Sequence, residues 1–137
     1  MSLKITDQLI RDIEDHIEAA YPDEGAGFLL GVDGEVREIL CLPNAREDEA
    51  RHNRFLFTPQ DYMKAETKAL ELGMDLIGVF HSHPDSPNTP SEYDREWAQP
   101  FFSYIISRVD GGKSISHRSW RLVEDRSKYD EEAIEIR

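Results

Sequence analysis

The stretch Asp75-Leu-Ile-Gly-Val-Phe80 constrains this chain more than any other, because its short apolar run reads as a strand buried in a sheet. It leads directly into His81-Ser82-His83-Pro84, so the pattern sets two histidines at the strand's C-terminal end. The segment before it carries a full set of helix signals. Thr58 caps, Pro59 suits the first helical position, Asp61 completes a capping-box arrangement, and Gly73 ends the run after Leu72. Leu9, Ile10, Ile13, Ile17 and Ala20 recur at helical spacing and predict a first helix over Asp7 to Tyr21. Thr6 or Asp7 caps that helix and Pro22 stops it.

Strand patterns fill most of the remainder. Gly27 to Val32, a turn at Asp33-Gly34, and Glu35 to Leu42 read as a hairpin, since Asp-Gly readily adopts tight-turn angles. Residues 43–53 are polar and read as a loop, followed by a short strand at Arg54 to Phe57. A proline-rich loop (Pro84, Pro87, Pro90) precedes a short helix from Ser91 to Trp97. Phe102 to Val109 and Ser114 to Val123 form a second hairpin around Asp110-Gly111-Gly112, and Ala133 to Ile136 a last short strand. No repeat or low-complexity linker divides the 137 residues, which predicts one domain spanning 1–137 of mixed α/β or α+β class.

Charge removes several classes of function. Acidic residues number 28 against 16 basic, for a net charge of −12 spread along the chain. Such a surface repels phosphate backbones and anionic headgroups, so neither nucleic acid nor membrane is an expected partner. The longest mainly apolar stretch without a charge, Gly25 to Val32, is far too short to span a bilayer, and the N-terminal residues lack a secretory signal's apolar segment. Cys41 is the sole cysteine, which excludes an intrachain disulfide and a multi-cysteine zinc cage. A reducing cytoplasmic setting is the expectation. Cys41 lies in Ile39-Leu40-Cys41-Leu42 and reads as core filler, as do Phe55, Phe80 and Tyr104. His16 and His52 read as solvated, His117 has no assigned role, and Trp97 and Trp120 read as packing residues.

The chemistry concentrates in residues 81–94. Histidines at i and i+2 of a strand project from one face and can converge on one ion. After ten intervening residues, Asp94 supplies a third candidate ligand. Two neutral imidazoles and a carboxylate suit Zn²⁺ and leave a fourth position for water, whose pKa such an ion lowers toward about 7. Each feature has a structural reading too: a His-x-His can simply sit on a strand, and Ser91-x-x-Asp94 is a fair helix-capping box. A hydrolase also needs a general base. Glu24, in Tyr21-Pro22-Asp23-Glu24-Gly25-Ala26-Gly27, is a candidate, although Asp23 is an equally generic carboxylate on the residue pattern alone.

Taken together, Glu24, His81-Ser82-His83-Pro84, Ser91 and Asp94 resemble the JAMM (MPN-plus) zinc metallopeptidases. Their pattern is a distant Glu, then His-x-His, ten residues and Asp, with Ser three before that Asp. The resemblance covers about residues 5–125. It implies an α/β, cytidine-deaminase-like fold with a curved mixed sheet flanked by helices. It further implies one Zn²⁺ per chain held by His81, His83 and Asp94, with Glu24 as general base and Ser91 holding the oxyanion. The implied partner is the C-terminal tail of a ubiquitin-like protein, in short bacterial members a sulfur carrier ending in Gly-Gly. This chain departs from some bacterial relatives in having Gly25 where they carry cysteine after the glutamate. It also lacks room for the long insertions with which eukaryotic deubiquitinases grip ubiquitin.

Other zinc-hydrolase patterns fit less well. Residue 86 is Ser where a metallo-β-lactamase motif has His, the chain is short for an amidohydrolase barrel, and a helical His-Glu-x-x-His is absent. An iron facial triad remains chemically open. The remaining alternatives are a zinc hydrolase of another amide and a non-catalytic protein-binding module of the same fold, which predicts broken ligand positions. The ligand positions are intact.

Overall fold

The computed structural model describes residues 2–42 and 57–137. The expected loop over 43–53, most of the expected strand at Arg54 to Phe57, His52, Phe55 and the side chain of Trp97 lie outside the described residues. Among the described residues seven strands and three helices follow one another: β1 (Ser2–Ile5), α1 (Asp7–Ala20), β2 (Ala26–Val32), β3 (Glu35–Leu42), α2 (Pro59–Glu71), β4 (Asp75–Pro84), α3 (Glu92–Trp97), β5 (Ser103–Asp110), β6 (Lys113–Leu122) and β7 (Tyr129–Ile136).

Local signals explain the helices. Thr6 caps α1 by accepting the Leu9 N–H at 3.2 Å. Thr58 and Asp61 form a reciprocal capping box at α2, as the sequence predicts. At the other end of α2, Gly73 takes φ +69°, and its N–H and that of Met74 close back on the Leu70 and Ala69 carbonyls. That termination uses the left-handed angle glycine adopts without strain.

The strands join in the order β1-β3-β2-β4-β5-β6-β7, and β7 pairs back on β1 to close a barrel. This corrects the expectation of an open curved sheet. The physical reason is β1, which the sequence reading overlooked: Leu3 and Ile5 alternate inward, and the strand pairs in parallel with β7 from Ser2↔Ala133 to Ile5↔Ile136. Closure pairs strand edges that an open sheet leaves exposed. β4 also runs further than expected, through Pro84, because β5 pairs with it in parallel from Gly78↔Ser103 to Pro84↔Val109. His81 and His83 therefore sit within the ladder rather than beyond it.

Strand alternation feeds two cores. On one face Leu9, Ile10, Ile13 and Ile17 of α1 pack against Leu3, Ile5, Leu29, Phe80 and Ile105. On the other, Ala65 and Ala69 of α2 lie with Phe28, Leu30, Val79 and Tyr104. His81 and His83 share strand parity with Val79, so they belong to the second face. Three expectations change here. Cys41 is exposed rather than core filler, because Leu42 takes the inward position beside it. His16 is not solvated: its Nε2–H is shared between the Ala26 and Leu42 carbonyls at 3.1 and 3.3 Å, tying α1 to the first hairpin. His117 gains partners, with Nε2 2.9 Å from Glu14 of α1 and Nδ1 2.6 Å from Ser107. Among the described residues, no helix is long and apolar enough to cross a membrane.

Ile13 is fully buried between α1 and the sheet. Ile13→Ala is expected to lower unfolding free energy by about 2–5 kcal/mol in a urea titration. A loss below about 0.5 kcal/mol, in the range of surface substitutions, would show that α1 is not packed as described.

Candidate metal centre

Two elements bring three side chains to one point. β4 supplies His81 and His83; α3, in the crossover between parallel strands β4 and β5, supplies Asp94. His81 Nε2 and His83 Nε2 lie 3.2 Å apart. Asp94 Oδ1 is 3.3 Å from the first and Oδ2 is 3.2 Å from the second. These are the only three His, Cys, Asp or Glu side chains among the described residues whose donor atoms gather closely enough to share an ion. Tetrahedral ligands on bonds of about 2.0 Å stand about 3.3 Å from one another, close to the 3.2 Å between the two imidazole nitrogens, and each Asp94 oxygen lies at a similar distance from one of them. The donor set and its spacing both fit a zinc-sized dication.

The surroundings orient each donor. His83 Nδ1–H donates to the Pro87 carbonyl at 2.7 Å, an assignment made from that contact, so Nε2 faces Asp94 and His81: it donates to Asp94 when the ring is protonated and offers its lone pair to an ion when the ring is neutral. Proline-stiffened loop residues thus fix the ring from behind. Asp94 sits at the third position of α3, where its backbone N–H donates to Ser91 Oγ at 3.0 Å and its Oδ2 accepts the Ser91 N–H at 2.8 Å. The capping-box reading of Ser91 is therefore realised, and the same carboxylate also faces the imidazoles. The far end of α3 is held by Arg126, whose guanidinium donates to the Ala98, Arg95 and Glu96 carbonyls. Sequence reasoning missed Arg126, because an arginine 28 residues downstream of Ala98 carries no local signal of helix capping.

Glu24 arrives by register. β2 and β4 pair antiparallel through Gly27↔Phe80 and Ala26↔His81. One step further, Gly25 N–H donates to Ser82 Oγ at 2.9 Å and Ser82 N–H donates to the Gly25 carbonyl at 3.0 Å. A second step sets Glu24 opposite His83. Glu24 is 3% exposed, so it is not the generic surface carboxylate of the alternative reading. Ser82 is the other residue the sequence reading passed over, although its place between the histidines on the opposite strand face is legible from alternation. Gly25 lies tight against α1: an added Cβ would stand 3.0 Å from the Ile17 Cα and 3.1 Å from the Ala20 Cβ, so a side chain here would press the helix outward by a few tenths of an ångström.

Electrostatics separate the two carboxyls. Burial pushes Glu24 up to about 9, and the Asp94 charge adds to that. Burial acts on Asp94 in the same direction, but the His81 and His83 imidazoles outweigh it and hold that carboxyl well below the usual range. His83 is shifted up: burial lowers it, and the Asp94 hydrogen bond and charge, with the Pro87 carbonyl, more than compensate.

Residues 6–123 match the family model for prokaryotic homologs of the JAB domain. The chain belongs to the JAB (JAMM/MPN) family. It is 34% identical over 108 residues to a probable TtuB-protein conjugate cleaving protease of Thermus thermophilus, covering 78% of this chain and 70% of that protein. It is 30% identical over 92 residues to the desampylase of Haloferax volcanii, covering 66% of each. The solution structure of a protein from Desulfitobacterium hafniense superposes with a TM-score of 0.84 at 29% identity, covering 100% of this chain and 93% of that one. The names of these two relatives, a conjugate cleaving protease and a desampylase, support a hydrolase.

In the metal-free chain, Glu24 keeps its proton when folded and loses it above its ordinary pKa when unfolded. The folded state then binds more protons between pH 4.5 and about 9, so this group's stabilisation is lost as pH rises through that window. Chelator-treated protein is expected to melt progressively lower from pH 5 to 9 relative to Glu24→Gln. Parallel melting curves for the two would contradict the buried carboxyl.

Proposed function

We propose that this chain is a zinc-dependent peptidase or isopeptidase that hydrolyses the bond after the C-terminal Gly-Gly of a ubiquitin-like sulfur-carrier protein. The reading places it in the cytoplasm with one Zn²⁺ per chain. The observation that carries it is the convergence of His81, His83 and Asp94, in which the two imidazole Nε2 atoms lie 3.2 Å apart and each faces one Asp94 oxygen at 3.2–3.3 Å, at the register position that brings in buried Glu24. The Thermus relative's name speaks of cleaving a protein conjugate, the class of bond an isopeptidase hydrolyses.

His81 Nε2, His83 Nε2 and the Asp94 carboxylate would hold the ion. When bound, it supplies Lewis acidity, which makes water nucleophilic at neutral pH. With a dication in place Glu24 would release its proton to solvent, and as a carboxylate it accepts one from the attacking water. It returns that proton to the leaving amine nitrogen as the carbon–nitrogen bond breaks, giving a carboxylate-terminated carrier and a free amine. Ser91 Oγ already accepts from the Asp94 N–H, which leaves its own hydrogen to donate to the carbonyl oxygen as charge develops there.

Purified protein is expected to bind one zinc per chain by metal analysis, with occupancy falling sharply in His83→Ala. Zinc retained in full by a His81→Ala, His83→Ala double variant would refute the site. Glu24→Gln is expected to keep its zinc and lose turnover by about 10²–10⁴-fold, because it removes a base and not a ligand. The substrate test is a ubiquitin-like sulfur carrier extended by several residues beyond Gly-Gly, with the product mass read after incubation with zinc-loaded protein. A product ending in Gly-Gly supports the assignment; an intact carrier, or cleavage elsewhere, overturns it.

A further inference from the structure

Glu24 lies in a short non-repetitive stretch between the end of α1 and the start of β2. Its C-terminal side is fixed by the Gly25–Ser82 pair already described. On its N-terminal side stands Tyr21, the C-cap residue of α1, whose hydroxyl donates to Asp85 Oδ2 at 2.6 Å. Asp85 follows the histidine strand by a single residue and makes three contacts that join separate elements. Its Oδ1 accepts the Gly111 N–H from the β5–β6 turn at 2.8 Å, and its own N–H donates to the Val109 carbonyl of β5 at 2.7 Å. Its backbone takes φ +53°, a left-handed angle that aspartate, asparagine and glycine tolerate better than other residues.

We infer that Asp85 and Tyr21 are positioning residues that set Glu24 against the two histidines, by fixing the Glu24 segment to the end of the strand that carries His81 and His83. Gly25–Ser82 and Tyr21–Asp85 then hold the segment at both ends, and both ties reach the same strand. The Asp23 N–H to the Ala20 carbonyl at 2.9 Å ties this segment to α1, not to the histidine strand; without the outer tie its hold on that strand is the Gly25–Ser82 pair alone, and the Glu24 carboxyl gains freedom to leave the geometry that proton transfer needs. Neither residue supplies a ligand or meets the reacting atoms. Loss of the tie should therefore lower turnover and leave zinc and substrate affinity in place.

This inference rests on Glu24 as the base, and its test separates the two. Tyr21→Phe removes only the hydroxyl and keeps the ring. Asp85→Gly removes the carboxylate at a backbone angle glycine adopts freely. Each zinc-loaded variant, with the extended sulfur carrier as substrate, is expected to lose about 10- to 100-fold in kcat with KM and zinc content unchanged. The double variant should fall no further than Asp85→Gly alone, since that substitution already removes the acceptor of the Tyr21 hydroxyl together with that of the Gly111 N–H. Asp85→Asn, which keeps the backbone angle and one oxygen for one of the two donors, should lie between Asp85→Gly and wild type. Amide exchange gives a readout independent of activity: the Gly25 N–H should exchange at least about tenfold faster in Tyr21→Phe than in wild type. Unchanged kcat and unchanged Gly25 exchange overturn the inference, as do multiplied losses in the double variant or loss of zinc in either single. If Glu24→Gln remains active while Gly25 exchange still accelerates in Tyr21→Phe, the tie stands and the base assignment fails instead.

Discussion

The antiparallel pairing of β2 with β4 is the constraint on which the centre depends. Ala26 opposite His81, and Gly25 bonded in both directions to Ser82, fix how far the chain before β2 extends past the histidines. A slip of one residue would turn Glu24 to the opposite face, because side chains alternate along a strand. Register is therefore what converts a carboxyl 70 positions away in sequence into a neighbour of Asp94, close enough for their charges to interact. Gly25 matters for the same reason. Without a side chain it lets α1 lie directly against the strand entry, and α1 in turn closes the space behind the pair.

The rest of the molecule steadies that pairing from both sides. On the α1 face the apolar stripe of Ile10, Ile13 and Ile17 is supplemented by polar cross-ties at its edges. His16 reaches the Ala26 and Leu42 carbonyls, and Glu14 accepts from His117 Nε2–H while Ser107 lies at that ring's other nitrogen. Buried polar groups satisfied in this way specify one orientation of a helix, where apolar packing alone tolerates sliding. On the opposite face α3 is a single short helix, and a helix of that length is marginal without help. Its capping box at Ser91 and the Arg126 guanidinium on its last carbonyls supply that help, so Asp94 is mounted on a rigid support.

Much of the fold was legible because its signals are local. The caps at Thr6 and Thr58, the stop at Gly73, the hairpin turns and the helical spacing of α1 each involve residues within a few positions of one another. The candidate cluster was legible for a related reason: His81 and His83 share a strand face by alternation, and Asp94 is held a short loop away. β1 was overlooked because Leu3 and Ile5 offer only two alternations, and what makes them a strand is pairing with β7 at the other end of the chain. Cys41 was misread because Ile39-Leu40-Cys41-Leu42 is apolar throughout, and composition cannot say which parity faces inward. His16 fell on the polar side of its helix by pattern, yet that side meets backbone carbonyls rather than water.

The sequence alone determined which elements form and which atoms are able to bind a dication, since propensity, capping and ligand chemistry reside in the residues themselves. Tertiary structure decided that the sheet closes on itself, and it decided that Glu24 rather than its neighbour Asp23 stands two register steps beyond His81. It also decided that Cys41 faces out and that Arg126 finishes α3. Each of these depends on contacts between distant segments. Their geometry is set by strand register and by the volume left between packed layers, and neither quantity exists until the chain has folded.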